Sequence, residues 1–358
     1  MIIYHSMIAL ILIVSLYYGA SGKDRSRVTM AAALLIFGYI IFWVGTRNRF
    51  VDTMAYIRMF NAASVSNEAI ARLLTEQKDG WGFTLLQCLF KRFVSQDYHA
   101  WLMFIAIITG LCVMSAFRRY SKDFFLSAFL FMASCSFTWM MNGIRQFIPV
   151  AILFAATPLL EKKKIFRYDL LVLLCSTIHL TCIMMIPISW IVTAKPWKLK
   201  VSLAIVGTVV VMLLIDQFTN FLQVALGDTK YADSVEQFAA DDGVNPIRVL
   251  VYFAPVALAW MYRNSMEENT ASSIIINMSL FTVLIYCVGV VTSGILIGRL
   301  AIYTSLYSLV MIPHVLTQIR NRKDAGLITM ACYALYTAYY LYASAGFYYS
   351  NDFVGFLA

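Results

Sequence analysis

Charge is what this chain has least of. Asp, Glu, Lys and Arg make up 13% of its 358 residues and hydrophobic residues 61%, whereas a soluble globular domain carries about 25% charged and about 45–50% apolar residues. The mean hydropathy is +0.74. This excludes a soluble enzyme. It also excludes a protein held by one anchor, because apolar blocks of about 20 residues, the length of a single crossing, recur from end to end. The loops between them are too short to fold as an aqueous domain. Nucleotide machinery is missing as well: there is no Gly-rich phosphate loop ending in Lys-Ser/Thr, no His-Glu-x-x-His and no Asp-x-Asp pair, which argues against an ATP-driven pump and a nucleotide-sugar enzyme. The seven Cys (88, 112, 135, 175, 182, 287 and 332) all lie in hydrophobic stretches without close-spaced pairs. They read as apolar filler, with no disulfide, metal or cofactor expected. No basic patch is interleaved with exposed aromatics, so no nucleic-acid partner is expected.

What charge there is organises the topology. The net charge is +9, and seventeen of the 28 Lys and Arg fall in six loops: Lys23/Arg25/Arg27, Arg118/Arg119/Lys122, Lys162/Lys163/Lys164/Arg167, Lys195/Lys198/Lys200, Arg263 and Arg320/Arg322/Lys323. Placing these loops in the cytoplasm puts crossings near 2–19, 28–46, 98–117, 124–141, 143–160, 201–217, 247–263, 273–293, 300–318 and 326–345. Both termini are then outside. The first block lacks a basic stretch before it and has one after it, the reverse of a cleaved signal, so it reads as a retained span. Outer loops fall near 47–79 and 216–245. The second of these holds six acids (Asp216, Asp228, Asp233, Glu236, Asp241, Asp242) against one Lys230. With no internal repeat and no low-complexity linker, residues 1–358 read as a single polytopic domain.

Two segments resist simple crossings. Tyr168 to Ala194 is apolar, has basic loops at both ends, and is long for one span and short for two. A broken or re-entrant hairpin with His179 and Pro187 near its bend resolves this, and irregular backbone at that depth lines protein or a wet cavity. Gly80 to Val94 carries Lys91 and Arg92, and is expected at the outer interface or dipping partway in.

Ionisable residues remaining at the outer ends of spans mark a pathway or site. Gly45-Thr46-Arg47-Asn48-Arg49-Phe50-Val51-Asp52 closes the second span. Two Arg forks beside a carboxylate suit a multivalent anion, though an interfacial anchor with Arg49 paired to Asp52 also fits. Asp52, Tyr56 and Phe60 follow at i, i+4, i+8 as one stripe of a helix. Asn142, Arg145 and Gln146 share a face at an outer hairpin, where Gly143 permits a tight turn; Arg145 snorkelling to headgroups is the plainer alternative. His179 is either a packing histidine or a base or phosphate donor placed at the bend. Arg299 is another isolated charge at an outer helix end, and Arg248 a weaker one. The common outward placement of these residues reads as a cationic cavity for an anionic amphiphile.

The run Gly45-x-Arg47…Asp52-x-x-x-Tyr56-x-x-x-Phe60 resembles the Wzy/EpsG-type polysaccharide polymerases. So does Asn142-x-x-Arg145-Gln146 followed by an apolar helix, Lys162-Lys163-Lys164, and a second apolar helix ending Ile178-His179. The likeness covers roughly 40–190, and beyond that lies in hydropathy and in Arg299. It departs at one point, where Arg47 to Phe50 intervene between Thr46 and Asp52. The resemblance implies a multi-pass glycosyltransferase of the bacterial inner membrane that joins undecaprenyl-diphosphate-linked oligosaccharide repeat units outside the cytoplasm, without metal or cofactor, into O-antigen, capsule or exopolysaccharide. It implies that Arg47, Arg49, Arg145 and Arg299 hold the leaving diphosphate. Tyr56, Asn142 and Gln146 are expected to line the same substrate site, and Asp52 or His179 to accept the proton. A chain-length regulator and a flippase are partners it allows. The fold expected is all-α and polytopic, with about ten transmembrane helices plus one or two broken, re-entrant or interfacial ones, a plan compatible with GT-C-like enzymes.

Two other readings stay open. A flippase for the same lipid-linked sugar favours charges spread along a path and repeated halves. An O-antigen ligase shares the chemistry and differs in its acceptor.

Overall fold

The computed structural model describes residues 2–77, 79–214, 243–294 and 297–351. Most of the acidic loop expected at 216–245 lies outside the described residues. The chain divides into two compact units, the first comprising residues 1–159, 164–186 and 320–358, the second 160–163 and 187–319.

In the first unit, α1 (Ile2–Ala20) and α2 (Met30–Gly45) are followed by a three-residue strand β1 (Arg47–Arg49) and by three shorter helices, α3 (Thr53–Ala62), α4 (Asn67–Glu76) and α5 (Trp81–Phe93). Next come α6 (Tyr98–Tyr120), α7 (Phe124–Ala133), a 3-10 turn at Ser136–Met140, α8 (Ile144–Ala155) and α9 (Thr157–Glu161, which ends past the boundary with the second unit). The later described parts of this unit are α10 (Ile165–Ser176) and a second 3-10 turn at Leu180–Met184. The second unit holds α11 (Met185–Val192, which begins at the boundary), α12 (Leu199–Leu213), α13 (Pro246–Met261), α14 (Thr270–Val290) and α15 (Ile302–Gln318). The first unit is completed by α16 (Arg322–Ser344) and strand β2 (Ser350–Asn351).

Every expected crossing carries helix. By length and apolar composition α1, α6, α8 continued through α9, and α14 can each span a bilayer, and further apolar helices such as α2, α7, α12 and α13 are shorter. The solvent-facing surface of these helices is itself apolar, as in Leu203, Val206, Val209, Val210 and Leu213 of α12 and Phe166, Leu170, Leu173 and Leu174 of α10. A water-facing helix would carry its charges there. The protein is a multi-pass, all-α membrane protein with a two-stranded clip.

Local chemistry explains where the helices stop. Thr29 caps α2 through its hydroxyl, and Asp97 and Asp123 cap α6 and α7 with their carboxylates, each satisfying an orphan N–H of a first turn. The expected crossing at 124–141 breaks at Cys135, whose φ of 59° ends α7. In the segment from Tyr168 to Ala194 the helix is broken at Thr177–His179, where His179 is extended (φ −150°, ψ 112°). The chain folds back there, with the Cys182 thiol 3.4 Å from the Val172 carbonyl. Pro187 is not at this bend. It sits in the first turn of α11, where its missing N–H costs no intrahelical bond.

The segment from Gly80 to Val94 is the amphipathic helix α5. Its two cations serve α3 and α4: Lys91 Nζ donates to the carbonyls of Phe60, Asn61 and Ala63 at 3.0, 2.7 and 2.9 Å, closing the orphan carbonyls at the end of α3. Arg92 donates to Asn67 Oδ1 at 2.6 Å.

In the second unit, polar side chains tie apolar helices together. Thr282 donates to Thr304 at 2.8 Å, Ser272 and His314 Nε2 lie 2.7 Å apart, and the fully buried Asn277 donates to the Val192 and Ala194 carbonyls beyond α11. In a bilayer, where apolar burial between helices is weak, such bonds set helix register.

Candidate active site

An aromatic cluster positions the site in the first unit. Tyr56, Ile57 and Phe60 of α3, Phe83 and Phe90 of α5, Trp101, Leu102 and Ile105 of α6, and Ile144 and Ile148 of α8 are all buried against one another. Phe60 stacks on Trp101 with ring centres 5.7 Å apart. Rings of this size bring large apolar area and defined geometry, so they lock four helices end to end. The stripe of Tyr56 and Phe60 read from the sequence is the buried face of α3.

That packing brings two helix starts close to one arginine. Both α5 and α8 begin after a glycine in the left-handed region, Gly80 (φ 66°) and Gly143 (φ 73°), and neither start has a side-chain cap. Arg145 lies in the first turn of α8 and lays its guanidinium against Gly80, so closely that a Cβ there would overlap it. The guanidinium also rests over the Phe83 ring, 5.7 Å from its centre. Gly80 is therefore glycine for two reasons, its backbone angle and the arginine beside it. Among the described residues no carboxylate pairs with Arg145, and its Nε is buried without a hydrogen-bond partner. A helix start carries about half a positive charge. A cation placed against one, in the first turn of a second helix, makes a corner whose positive potential favours an anion.

Tyr56 completes this corner. Its hydroxyl is hydrogen-bonded to the backbone of Ile144, the first residue of α8, and it shares the electrostatic field of Asp52, Arg145 and Arg47. Burial raises its pKa, the Asp52 carboxylate pushes the same way, and Arg145 and Arg47 oppose. Asp52 precedes α3 but makes no capping bond with its side chain. It is half-buried, and among the described residues it forms no ion pair. The turn that delivers it passes through Val51 at φ 37°, a conformation β-branched residues avoid.

The bend after α10 reaches the same place. Gly82 N donates to the Thr177 carbonyl at 2.8 Å, and the Ile178 carbonyl lies within 3.5 Å of a Cβ position on Gly80. His179 follows directly, half-buried, with Nδ1 2.7 Å from the Thr181 hydroxyl.

The remaining expected residues separate. Arg47 is 1% exposed and donates to the Val44 carbonyl, to Thr53 Oγ1 at 3.1 Å and to the Met141 carbonyl at 3.3 Å. It ties the ends of α2 and α3 to the hairpin before α8. Burial pulls its pKa down to about 10, which leaves it cationic at neutral pH. Arg49 is exposed and lies over the Tyr348 ring at 4.9 Å; no ion pair joins it to Asp52 among the described residues. Asn142 is half-buried at the hairpin and Gln146 buried in the first turn of α8. Arg248 and Arg299 are exposed and belong to the second unit.

Sequence reasoning passed over two contributors. Gly80 carried a usable signal, an isolated glycine before an amphipathic run. The other is the clip formed by β2, antiparallel to β1 with Arg47 opposite Asn351. Asn351 Nδ2 donates to the Thr46 carbonyl and hydroxyl at 2.9 and 2.6 Å, and the Tyr349 hydroxyl donates to the Trp43 carbonyl at 2.6 Å. No local pattern announces a strand that pairs across some three hundred residues.

Against known families, the model of the EpsG family matches residues 30–354, nearly the whole described chain. The chain belongs to the EpsG family. Membership carries a general role as a membrane polysaccharide polymerase, and the match extends the resemblance seen at 40–190 through the second unit. No curated protein and no solved structure matches the chain.

Proposed function

We propose that this EpsG-family protein joins undecaprenyl-diphosphate-linked oligosaccharide repeat units at the extracytoplasmic face of the bacterial inner membrane. The growing chain is transferred from its lipid diphosphate to a sugar hydroxyl of the next unit. The observation that carries the reading is Arg145, packed on the start of α5, itself at the start of α8, with a buried Nε that has no partner. Leaving such a donor unpaired costs about 1–3 kcal/mol, and a diphosphate would satisfy it together with both helix starts.

In this reading the acceptor hydroxyl oxygen attacks the anomeric carbon of the donor. The bond from that carbon to the phosphate oxygen breaks, and its electron pair leaves with the lipid diphosphate. Asp52, half-buried and without an ion pair among the described residues, takes the hydroxyl proton. Arg145 and the α5 and α8 starts stabilise the charge developing on the diphosphate, and His179, beside Gly80 and Gly82, donates a hydrogen bond to it. Arg49 extends the cationic surface outward, and Asn142 and Gln146 bear on the sugar. Arg47, buried and bonded to a protein acceptor through each of its three nitrogens, is a positioning residue. Arg299 enters no step.

The test is surface polysaccharide from a deletion strain complemented with wild type or Arg145→Ala. The expected result is a polymer ladder with wild type and a collapse to single repeat units with Arg145→Ala, at equal protein in the membrane. Unchanged polymer length in the variant overturns the assignment. Loss of surface glycan with lipid-linked units held inside would mark a flippase, and long unattached polymer a ligase.

A further inference from the structure

A second feature of the first unit stands apart from the anion corner. Between α3, α4 and α5 runs an open groove of about 510 Å³, within the range of about 300–1,000 Å³ typical of small-ligand sites. Its polar lining is Ser64, Arg72, Glu76, Gln77, Thr84 and Gln87, set among small and apolar side chains. Gln87 is 1% exposed, and its amide nitrogen is buried with no hydrogen-bond partner. A buried amide donor left unmade is costly, and here the residue belongs to the groove wall.

The charge of the lining identifies the ligand class. One Arg and one Glu cancel, so among the described residues the groove lining has no surplus cation to hold a phosphate, unlike the corner at Arg145. Beside the apolar Met59, Leu73 and Cys88, the lining carries amides, hydroxyls and charged planar groups. They offer donors and acceptors side by side, which is what successive sugar hydroxyls, each both donor and acceptor, require. Location agrees. Thr84 lies one helical turn, about 5.4 Å along the axis, from Gly80, and its N–H donates to the Gly80 carbonyl at 3.3 Å. Gln77 Nε2 bridges that end of the groove, donating to the Asp79 carbonyl at 2.7 Å and to the Thr84 hydroxyl at 3.3 Å. One helix, α5, thus presents its start to the arginine and its next turns to the groove.

We propose that this groove is a saccharide subsite, which holds the neutral sugars of the acceptor repeat unit while the diphosphate chemistry takes place at the start of α5. The assignment rests on the function proposed above, but can fail without it. The test uses lipid-linked repeat units extracted from a deletion strain, and the free oligosaccharide released from them by mild acid. Gln87→Met keeps the side-chain volume and removes the amide. The proposal expects it to raise the acceptor KM by about tenfold, the equivalent of one hydrogen bond of about 1.4 kcal/mol, with kcat within about twofold. It also expects free oligosaccharide to raise the melting temperature of wild type but not of this variant. Wild-type KM and an equal oligosaccharide shift in Gln87→Met overturn the proposal, and a simple gain in stability would then mark the amide as a packing defect. Should Gln87→Met fold poorly, the exposed pair Arg72→Gln and Glu76→Gln decides alone: a KM raised several-fold supports the subsite and an unchanged KM overturns it. If wild type makes no polymer from these units yet still binds the free oligosaccharide through Gln87, the polymerase reading falls and the subsite stands.

Discussion

The two ends of α6 hold arginines in opposite circumstances. This helix runs for 23 residues, about 35 Å. At its Arg118 end two arginines are answered by the protein itself. Arg25 meets Asp123 at 2.7 Å and the Ser15 hydroxyl at 2.8 Å, and Arg118 donates twice to the Val28 carbonyl. At its Trp101 end the arginines meet carbonyls, ring faces and helix starts. The Asp52 carboxylate forms no ion pair among the described residues, and one guanidinium nitrogen is left over. The same residue type is therefore scaffold at one end and, in the proposed reading, receptor at the other. What separates the two is the partner set, which composition does not report.

Replacing an arginine at each end should break the symmetry of residue type most visibly. Arg145→Ala should lower the rate of glycosyl transfer by about 10²–10³, the scale for losing one charge-stabilising donor. Arg25→Ala should leave the rate unchanged and lower stability by about 1 kcal/mol or less, because its ion pair is partly exposed. Initial rates with purified protein, alongside thermal unfolding, read both. Comparable rate losses at the two ends would erase the distinction.

Gly80→Ala sharpens the comparison without touching a charge. A methyl group there meets the Arg145 guanidinium and an unfavourable backbone angle together. Displacing the arginine by about 1 Å should cost about 10²-fold in rate with the protein still inserted. Gly22, at the Arg118 end, has φ 60° and open space around its Cβ position, so Gly22→Ala should strain only the backbone and leave the rate intact.

The smallest effect is expected at Val51. Its left-handed backbone stores about 1–3 kcal/mol, which Val51→Gly should release as a higher melting temperature. The freed turn should aim Asp52 less well and slow transfer several-fold. A variant that gains stability without losing rate would show that the strain does nothing for the carboxylate.

Much of this was legible beforehand. Hydropathy placed the helices, because in a bilayer the apolar run itself is the structural instruction. Parity of the basic loops exposed the break near His179, since one span cannot have both ends on one side. The loops grouped by charge do meet: Arg25 pairs with Asp123, and Lys163, Lys195, Lys198 and Arg263 line one cleft of about 320 Å³ in the second unit. The roles inside the clusters were harder. Arg47 and Arg145 look alike in a sequence, but one is sealed among backbone carbonyls and the other held open by a glycine sixty-five residues earlier. Lys91 and Arg92 looked like a topological misfit because a cation that caps another helix leaves no local pattern. Pro187 was drawn to the bend for its reputation as a helix breaker, and it does no breaking in a first turn.

The clip between β1 and β2 has a consequence for the order of assembly. Thr46 and Trp43 receive their hydrogen bonds from residues 305 and 306 positions downstream. Contacts so distant in sequence form late, after the intervening helices have been made and inserted. The turn bearing Arg49 and Asp52 is thus set last, although it is synthesised early. In the proposed reading, a half-built chain lacks the set turn that aims Asp52, and so cannot yet extend a lipid-linked sugar.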